Sequence, residues 1–262
     1  MAALPVLLTT PTEGVRLLTL NQPHIRNAMT AELQKAWTES MNELAEDSKV
    51  RALVITGAGP TFCSGADLSW LDPGASRDIT PDKLRTKMLP FYKSWLAARE
   101  LPFPVIAAVN GAAIGAGLAL ALVCDLRYAS PTATFSAPFT HLGTHPGIAT
   151  TRLLPEAIGI TRAREMLYTG RQVDAKEALS WGLVNGVADD VVGRSVEVAA
   201  TIARAAPIAT RLTKSGLAHA ANGMSAALEW EALAQPITMA TADLHEGIEA
   251  RRNHRPPIFT GE

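Results

Sequence analysis

The chain has 262 residues, a formal net charge of −1 and a pI near 6.6. This length fits one large domain, or one domain with an appendage. The even balance of charge excludes a strongly basic surface for nucleic acid or for an acidic membrane. No basic region precedes the short apolar run at the amino terminus, so we expect no signal peptide and a cytoplasmic protein. The settings of Cys63 and Cys124 indicate buried, reduced thiols.

The first hundred residues alternate short apolar runs with amphipathic stretches. Two strands joined at Glu13-Gly14 come first, and a helix capped by Thr30 follows them. Apolar residues line one face of that helix at 3.6-residue spacing. The predicted elements in this part are strands at Val6–Thr10, Val15–Leu20 and Ala52–Thr56 and helices at Thr30–Asp47 and Pro81–Glu100, the latter interrupted near Pro90.

Twenty uncharged residues stand in a row from Val105 to Cys124, and they can be interpreted in three ways. A membrane helix needs about 18 or more apolar residues, but neither a second span nor flanking Lys or Arg accompanies this one. A dinucleotide-binding turn would use Gly115 and Gly117, but Leu120 occupies the third glycine position. The β-branched run before Asn110 favours a buried strand, a glycine-rich turn and a buried helix. We adopt this third interpretation.

Small residues at positions 115–117 give that turn a possible chemical use. They let a ligand approach the main chain closely. The turn also opens a helix, whose first N–H groups and positive dipole end point outward. This arrangement suits an oxygen that is gaining negative charge, such as a thioester carbonyl. The same residues would serve equally well for tight packing alone.

The second half of the chain becomes progressively helical. Turn residues punctuate the segment from Ala137 to Ile148, and helices with short strands follow. From Asp190 the pattern is helical to the end, with predicted breaks at Pro207, Asn222-Gly223 and Pro236. The other predicted elements are strands at Asp125–Ala129, Thr134–Ser136 and Leu183–Val187 and helices at Ala149–Ile158, Arg162–Tyr168 and Ala175–Trp181, the last capped by Asp174.

Three stretches resemble signatures of the enoyl-CoA hydratase/isomerase (crotonase) family. They are VNGAAIGAGLALALVCDLRYA from Val109, FCSGADL at 62–68 and RPPIFTG at 255–261. The resemblance implies an α/β fold, the crotonase (ClpP-like) spiral of repeated ββα units with a C-terminal helical trimerisation region. We place the spiral core and its site in residues 1–195 and the oligomerising helices in residues 196–262. A homotrimer, or a hexamer built as a dimer of trimers, is the implied assembly.

The resemblance also implies a site for an acyl-CoA thioester. Main-chain N–H groups of Ala66 and Ala116 would form the oxyanion hole. Coenzyme A belongs to the substrate, so no separate cofactor is expected. The positions matched to substrate-binding residues are Arg26, Ala28, Ala66, Asp67, Leu68, Gly115, Ala119, Phe139, Arg255 and Phe259. Asp67 also fits a helix N-cap, which is the role that we prefer for it.

The chain departs from the family at its acid–base positions. Hydratases of this family use two glutamates, which match Ala119 and Phe139 here. A third acidic position, used by some isomerases and dehalogenases, matches Gly147. Each acid–base group typically contributes about 10²–10⁴ in rate, and two groups that share one water act as a unit. Ordinary hydratase turnover is therefore not expected from these residues.

Replacement acid–base groups can be sought near the lost glutamates. His141 and His145 follow Phe139 closely, and histidine titrates near neutral pH. Asp72 and Asp78, in the loop after Leu68, are weaker candidates. The four-residue spacing of the histidines is typical of a metal pair, but Gly143 and Pro146 argue against a continuous helix there. No third ligand is evident, and we expect no metal.

Two functions fit these observations, and a third does not. The chain is either an acyl-CoA lyase or isomerase of fatty acid metabolism with non-standard acid–base residues, or a non-catalytic carrier of fatty acyl-CoA. The retained SGAD and GAG elements support both hypotheses, whereas the absence of both carboxylates favours the second. A membrane protein built on residues 105–124 is the hypothesis that we reject.

Overall fold

The structure, a computed structural model, describes residues 4–67, 80–220 and 223–262. Within these ranges it contains ten β-strands and ten α-helices. The strands are β1 Val6–Thr12, β2 Val15–Leu20, β3 Ala52–Gly57, β4 Thr61–Cys63, β5 Val105–Val109, β6 Ala112–Ile114, β7 Leu126–Ala129, β8 Thr134–Ser136, β9 Gln172–Asp174 and β10 Gly186–Val187. The helices are α1 Ala31–Glu46, α2 Pro81–Glu100, α3 Ala116–Val123, α4 Thr150–Ile158, α5 Ile160–Thr169, α6 Ala175–Trp181, α7 Val191–Ala203, α8 Pro207–Ala220, α9 Met224–Met239 and α10 Ala242–Arg252.

The strands form two sheets, and from β3 to β8 successive strands along the chain alternate between them. One sheet has the order β1-β2-β3-β5-β7-β10, and the other has the order β4-β6-β8-β9. The units β3–β4–α2, β5–β6–α3 and β7–β8–α4 each give one strand to the first sheet, the next strand to the second, and then a helix. This repetition confirms the expected spiral of ββα units.

The central segment folds as a strand, a turn and a helix. β5 is buried along its whole length between β3 and β7, and every residue of α3 is buried. The glycine-rich turn contains a feature that the sequence pattern did not reveal, because residues 112–114 form the short strand β6. Among the described helices, none combines the length and the apolar composition that a membrane span requires.

Aromatic packing joins α1 and α2 over the core. Leu33, Trp37, Met41 and Leu44 form the buried face of α1, as their spacing predicts, and Thr30 caps this helix by accepting from the Leu33 amide. Trp37 stacks on Trp95 of α2 with ring centroids 5.0 Å apart. Both indoles are fully buried.

Several predicted boundaries differ from the structure. α2 continues through Pro90, and α9 continues through Pro236 to Met239, so neither proline ends its helix. Packing against neighbouring helices outweighs the loss of one hydrogen bond at each proline. The predicted strand at 183–187 shortens to Gly186–Val187, and β9 was not foreseen. α7, whose buried side chains pack on the first sheet, spans the division that we placed after residue 195, and that division stays a prediction.

Candidate functional site

Three neighbouring parallel strands end at one edge of the four-stranded sheet. β4 pairs with β6 through Thr61 and Ala112, and β6 pairs with β8 through Ile114 and Ser136. Parallel neighbours present their carboxyl ends on the same side. Residues 64–66, 115–116 and 137–139 are therefore brought together there, at an edge where α/β proteins commonly bind ligands.

The loop after β4 lies directly against the start of α3. A Cβ added to Gly65 would lie 2.6 Å from the Ile114 carbonyl oxygen and 3.2 Å from the Ala116 nitrogen. Covalent geometry then keeps the nitrogens of Ala66 and Ala116 within about 7 Å of each other. Two N–H donors that share one oxygen lie at most about 6 Å apart. This upper bound is compatible with two donors on one carbonyl oxygen, and the shared oxyanion hole stays a prediction.

Both amides occupy positions that leave the N–H group without a partner in regular secondary structure. Ala66 is the bridged residue of a parallel pair with Met29, whose amide donates to the Gly65 carbonyl. In such a pair the N–H of the bridged residue points away from the partner strand. Ala116 is the first residue of α3, so its N–H precedes the helical hydrogen bonds. The helix dipole adds positive potential at this end.

Two glycines allow the close approach of these loops. Gly115 has φ 55° and ψ −115°, a conformation that side chains disfavour, and its amide donates to the Ser136 carbonyl. A Cβ on Gly117 would lie 2.0 Å from the Cys63 carbonyl oxygen, so the helix could not pack on β4 with any other residue there. Burial raises the pKa of the Cys63 thiol to about 12, which keeps this neighbouring group protonated at neutral pH.

A buried asparagine holds the segment that was predicted to meet coenzyme A. The Asn27 side chain accepts from the Gln22 amide and donates to the Thr61 carbonyl at 2.8 Å. Arg26 and Asn27 both have positive φ, and the Arg26 carbonyl accepts from the Ser64 amide at 3.1 Å. Arg26 is exposed, and Ala28 is half-buried. The strained turn therefore aligns this segment with residues 64–66.

Apolar side chains occupy the two positions that the resemblance matches to glutamates. Ala119 is fully buried on the first turn of α3, with its amide bonded to the Gly115 carbonyl at 3.1 Å. Phe139 is half-buried, and two of its ring carbons lie 3.8 Å from where a Cβ on Gly115 would be. The structure thus brings Phe139, Gly115 and Ala116 together without a carboxylate at either position.

The two histidine candidates contact other parts of the molecule. The His141 ring lies beside Gly170 at the end of α5, 3.2 Å from where a Cβ on that glycine would be. His145 is exposed, and its Nδ1 lies 2.8 Å from the Pro146 carbonyl oxygen. The described contacts of these side chains are therefore not with residues 115 or 116. Their catalytic role stays a prediction.

Tyr92 is a residue that the sequence interpretation missed. It lies on α2, is half-buried, and has its hydroxyl oxygen 2.8 Å from where a Cβ on Gly147 would be. Burial raises the pKa of this phenol. The hydroxyl makes no hydrogen bond within residues 4–67, 80–220 and 223–262. Position 147 had drawn attention as a lost acidic position, but the sequence gives no indication that a distant tyrosine fills the space beside it.

The tail candidates are held by their own chain. Arg255 forms a two-bond ion pair with Glu246, whose pKa falls to about 2 through this partner. Phe259 packs by Gly247, and its carbonyl accepts from Arg51 at 3.0 Å. Phe259 also lines a cleft of about 930 Å³ between the β1–β2 hairpin, α7 and the tail. This cleft adjoins the start of β2 and β3, opposite the edge that carries residues 115–116.

Some predicted residues lie outside the described parts of the chain. These are Leu68, Asp72 and Asp78. The helix that Asp67 was predicted to cap would lie there too, while Asp67 itself is half-buried. In the described ranges no three His, Cys, Asp or Glu side chains are arranged to hold a metal ion.

Comparison with known proteins supplies the family. The model of the enoyl-CoA hydratase/isomerase family matches residues 10–262. The chain belongs to this family. It is 40% identical over 235 residues to EchA14 of Mycobacterium tuberculosis, named a probable enoyl-CoA hydratase, and 90% of each chain is covered. It is 36% identical over 267 residues to the mouse enoyl-CoA hydratase domain-containing protein 2, covering 97% of this chain and 87% of that protein.

Solved structures of the enoyl-CoA hydratase/isomerase family share the fold. An enoyl-CoA hydratase from Bacillus anthracis superposes with a TM-score of 0.91 at 32% identity, over 98% of this chain and all of that one. The family thus accounts for the spiral and for the edge where β4, β6 and β8 end.

Proposed function

We propose that the protein binds acyl-CoA thioesters and polarises the thioester carbonyl between the main-chain N–H groups of Ala66 and Ala116. The observation that carries this proposal is the close approach of Gly65 to the start of α3. A Cβ atom added to Gly65 would lie 3.2 Å from the Ala116 nitrogen. Two aligned donors and a helix N-terminus stabilise an oxygen that gains negative charge. Removing one such donor typically costs about 10²–10³ in rate.

The polarised carbonyl supports chemistry at the neighbouring carbons. When a proton leaves the α carbon, its electron pair moves onto the thioester oxygen, where the two N–H groups hold the resulting oxyanion. This step is common to isomerisation and, in the reverse direction, to addition across a 2-enoyl double bond. We therefore assign the protein to the lyase or isomerase class, acting on fatty acyl thioesters.

A non-catalytic acyl-CoA binding protein is the second candidate. Ala119 and Phe139 favour it, because each replaces a carboxylate that would carry protons in a hydratase. Both candidates use the same oxyanion site and differ only in whether a proton is moved. Coenzyme A would lie along Arg26, Ala28, Asp67 and Leu68 in either case, with Arg255 and Phe259 as contacts from the tail.

A substrate panel separates the two candidates. The pure protein is incubated with 2-enoyl-CoA and 3-enoyl-CoA thioesters whose acyl chains run from about four to sixteen carbons in steps of about two. Their binding is measured by calorimetry. Turnover of any member supports the enzyme. Binding without turnover across all lengths supports the carrier. If no CoA thioester binds, both candidates are wrong.

We also propose that the active form is a homotrimer or a pair of trimers. Apolar side chains are exposed along α9, which has no buried residue in the single chain. Those more than half exposed are Met224, Leu228, Leu233, Ile237 and Met239. These side chains point to more than one side of α9, and a helix with apolar residues around its circumference is typical of a buried element.

A further inference from the structure

The proposed reaction lacks an obvious group to move the proton, and Tyr92 has the features of one. Its hydroxyl oxygen would lie 2.8 Å from a Cβ on Gly147, so it occupies the space that any side chain at position 147 would enter. The hydroxyl has no hydrogen-bond partner among the described residues. Because Tyr92 is half-buried and its hydroxyl is not sealed from solvent, a ligand can reach this oxygen.

The topology puts Tyr92 on a helix that packs against α3. α2 leads to β5 and α3 leads to β7, and these neighbouring strands pair in parallel at Ile106 and Leu126. Tyr92 stands eight residues, about 12 Å, before the end of α2, and Ala116 stands seven residues, about 10 Å, before the end of α3. α2 and α3 pack on each other, so Tyr92 and Ala116 stand at similar distances from the ends of two neighbouring helices.

Tyr92 has neighbours on two sides. Its neighbour Phe91 is buried and meets Trp95 edge-on, with ring centroids 6.3 Å apart. On the other side the turn that enters α4 is constrained, because Ile148 and Ala149 both have positive φ. Strained backbone of this kind costs about 1–3 kcal/mol per residue and is concentrated at functional sites. The Tyr92 side chain therefore has the buried Phe91 ring as one neighbour and this turn as another.

We propose that the Tyr92 hydroxyl transfers the proton at the acyl carbons of the bound thioester, in place of the carboxylates missing at positions 119 and 139. The inference rests on the proposed function. As phenolate, Tyr92 takes the proton from the α carbon, and the electron pair moves onto the oxygen held by Ala66 and Ala116. As phenol, it returns a proton to the α carbon, or to the γ carbon in an isomerisation.

Deuterium exchange into a saturated thioester tests this step alone. Butyryl-CoA is incubated with the protein in D₂O, and loss of the α-proton signal is followed by NMR. We expect Tyr92→Phe to slow exchange by at least about 100-fold while calorimetry shows unchanged binding of butyryl-CoA. Tyr128→Phe is the matched control, since Tyr128 is also half-buried but lies on β7 under Arg194. It should exchange like the unaltered protein.

The pH profile distinguishes tyrosine from histidine. Burial is the cause that raises the pKa of Tyr92, and no charged group among the described residues contributes to the shift. The phenolate fraction, and with it the exchange rate, should rise about tenfold per pH unit from about pH 7 to 9. A base with the ordinary pKa of a histidine would instead give a plateau above about pH 7.5.

A steric variant provides a second test without removing the hydroxyl. Gly147 has no positive φ, so alanine is allowed there, but its Cβ would displace the Tyr92 ring. Gly147→Ala should therefore slow exchange. The inference is overturned if Tyr92→Phe exchanges normally, or if the unaltered protein binds butyryl-CoA without exchanging it. Absence of all CoA-thioester binding would instead overturn the proposed function itself.

Discussion

At the scale of single residues, glycines decide whether the two predicted donors can meet. Gly65 has φ 96° and lies against the Ile114 carbonyl, so both its backbone conformation and its surroundings exclude a side chain. At position 117 the Cys63 carbonyl leaves no room for the Cβ of any other residue. By contrast, Ala116 contributes only its main chain, so the alanine there is compatible with the proposed role.

Replacing Gly65 should therefore separate the donors. We expect Gly65→Ala to abolish acyl-CoA binding, because its Cβ would push residues 114–116 away. Gly143→Ala is the control: Gly143 also has positive φ, but nothing lies within 4 Å of its Cβ position. It should cost about 1–2 kcal/mol of stability from backbone strain and leave binding intact. Isothermal calorimetry and urea unfolding measure the two effects, and equal binding by both variants would refute this role of Gly65.

At the scale of elements, the candidate site is built by a sheet that the sequence hardly reveals. β4, β6 and β8 have three residues each, which is too short for an alternating pattern to identify. The longer elements were predictable: β5 by its β-branched run, and α1 and α6 by their caps Thr30 and Asp174. Sequence reasoning thus found both donor loops by resemblance, but not the strand pairing that joins them.

Long-range contacts explain the other misses. The Tyr92–Gly147 contact joins residues 55 positions apart in α2 and the turn before α4, and no local pattern encodes it. Pro90 and Pro236 mislead for the same reason, since tertiary packing sustains both helices through a proline. The residues that local rules did identify are those whose role is local, such as N-caps and buried helix faces.

The C-terminal tail offers a pH-dependent prediction at this scale. The Glu246 carboxylate accepts hydrogen bonds from Arg255 and from the Ile258 amide. These bonds, that from Arg255 above all, lower the pKa of Glu246 to about 2. A lowered folded-state pKa stabilises the tail above the unfolded value near 4.5 and loses that effect as pH falls toward about 2. Hydrogen exchange at the Ile258 amide should accelerate over this window relative to its intrinsic rate.

A matched pair of variants checks the cause. Glu246→Gln should remove the protection of the Ile258 amide at neutral pH as well, leaving little change on acidification. Glu156→Gln removes the carboxylate of another exposed ion pair, Arg152–Glu156 on α4. It should leave the protection of the Ile258 amide unaffected. Protection of Ile258 that persists in Glu246→Gln would show that another contact holds the tail.

At the scale of the whole molecule, one C-terminal helix differs from the rest in its exposed apolar side chains. The sheets and helices α1–α7 form two buried apolar clusters, whereas α9 exposes its apolar residues. Leu228 and Leu233 are 58% and 69% exposed. The proposed trimer would cover the exposed apolar side chains of α9.

A charged side chain placed on α9 should prevent the proposed assembly. We expect the unaltered protein to sediment as a trimer or hexamer of its 27.8 kDa chain, and Leu228→Glu to sediment as a smaller species. Leu179→Glu on α6 is the control, since Leu179 is also exposed, at 44%, but lies away from α9 in sequence. Sedimentation of the unaltered protein as a monomer would contradict the proposed assembly.

The carbonyl stretch of a bound thioester tests the central claim most directly. Crotonyl-CoA carrying ¹³C at the thioester carbonyl is bound at saturation, and the labelled band is isolated by isotope-edited infrared difference spectroscopy. Two N–H donors on one oxygen weaken its double bond, so we expect the band to move to lower frequency than in water, and this shift to persist in Gly143→Ala. A saturated complex whose carbonyl band stays at its solution frequency would contradict the account.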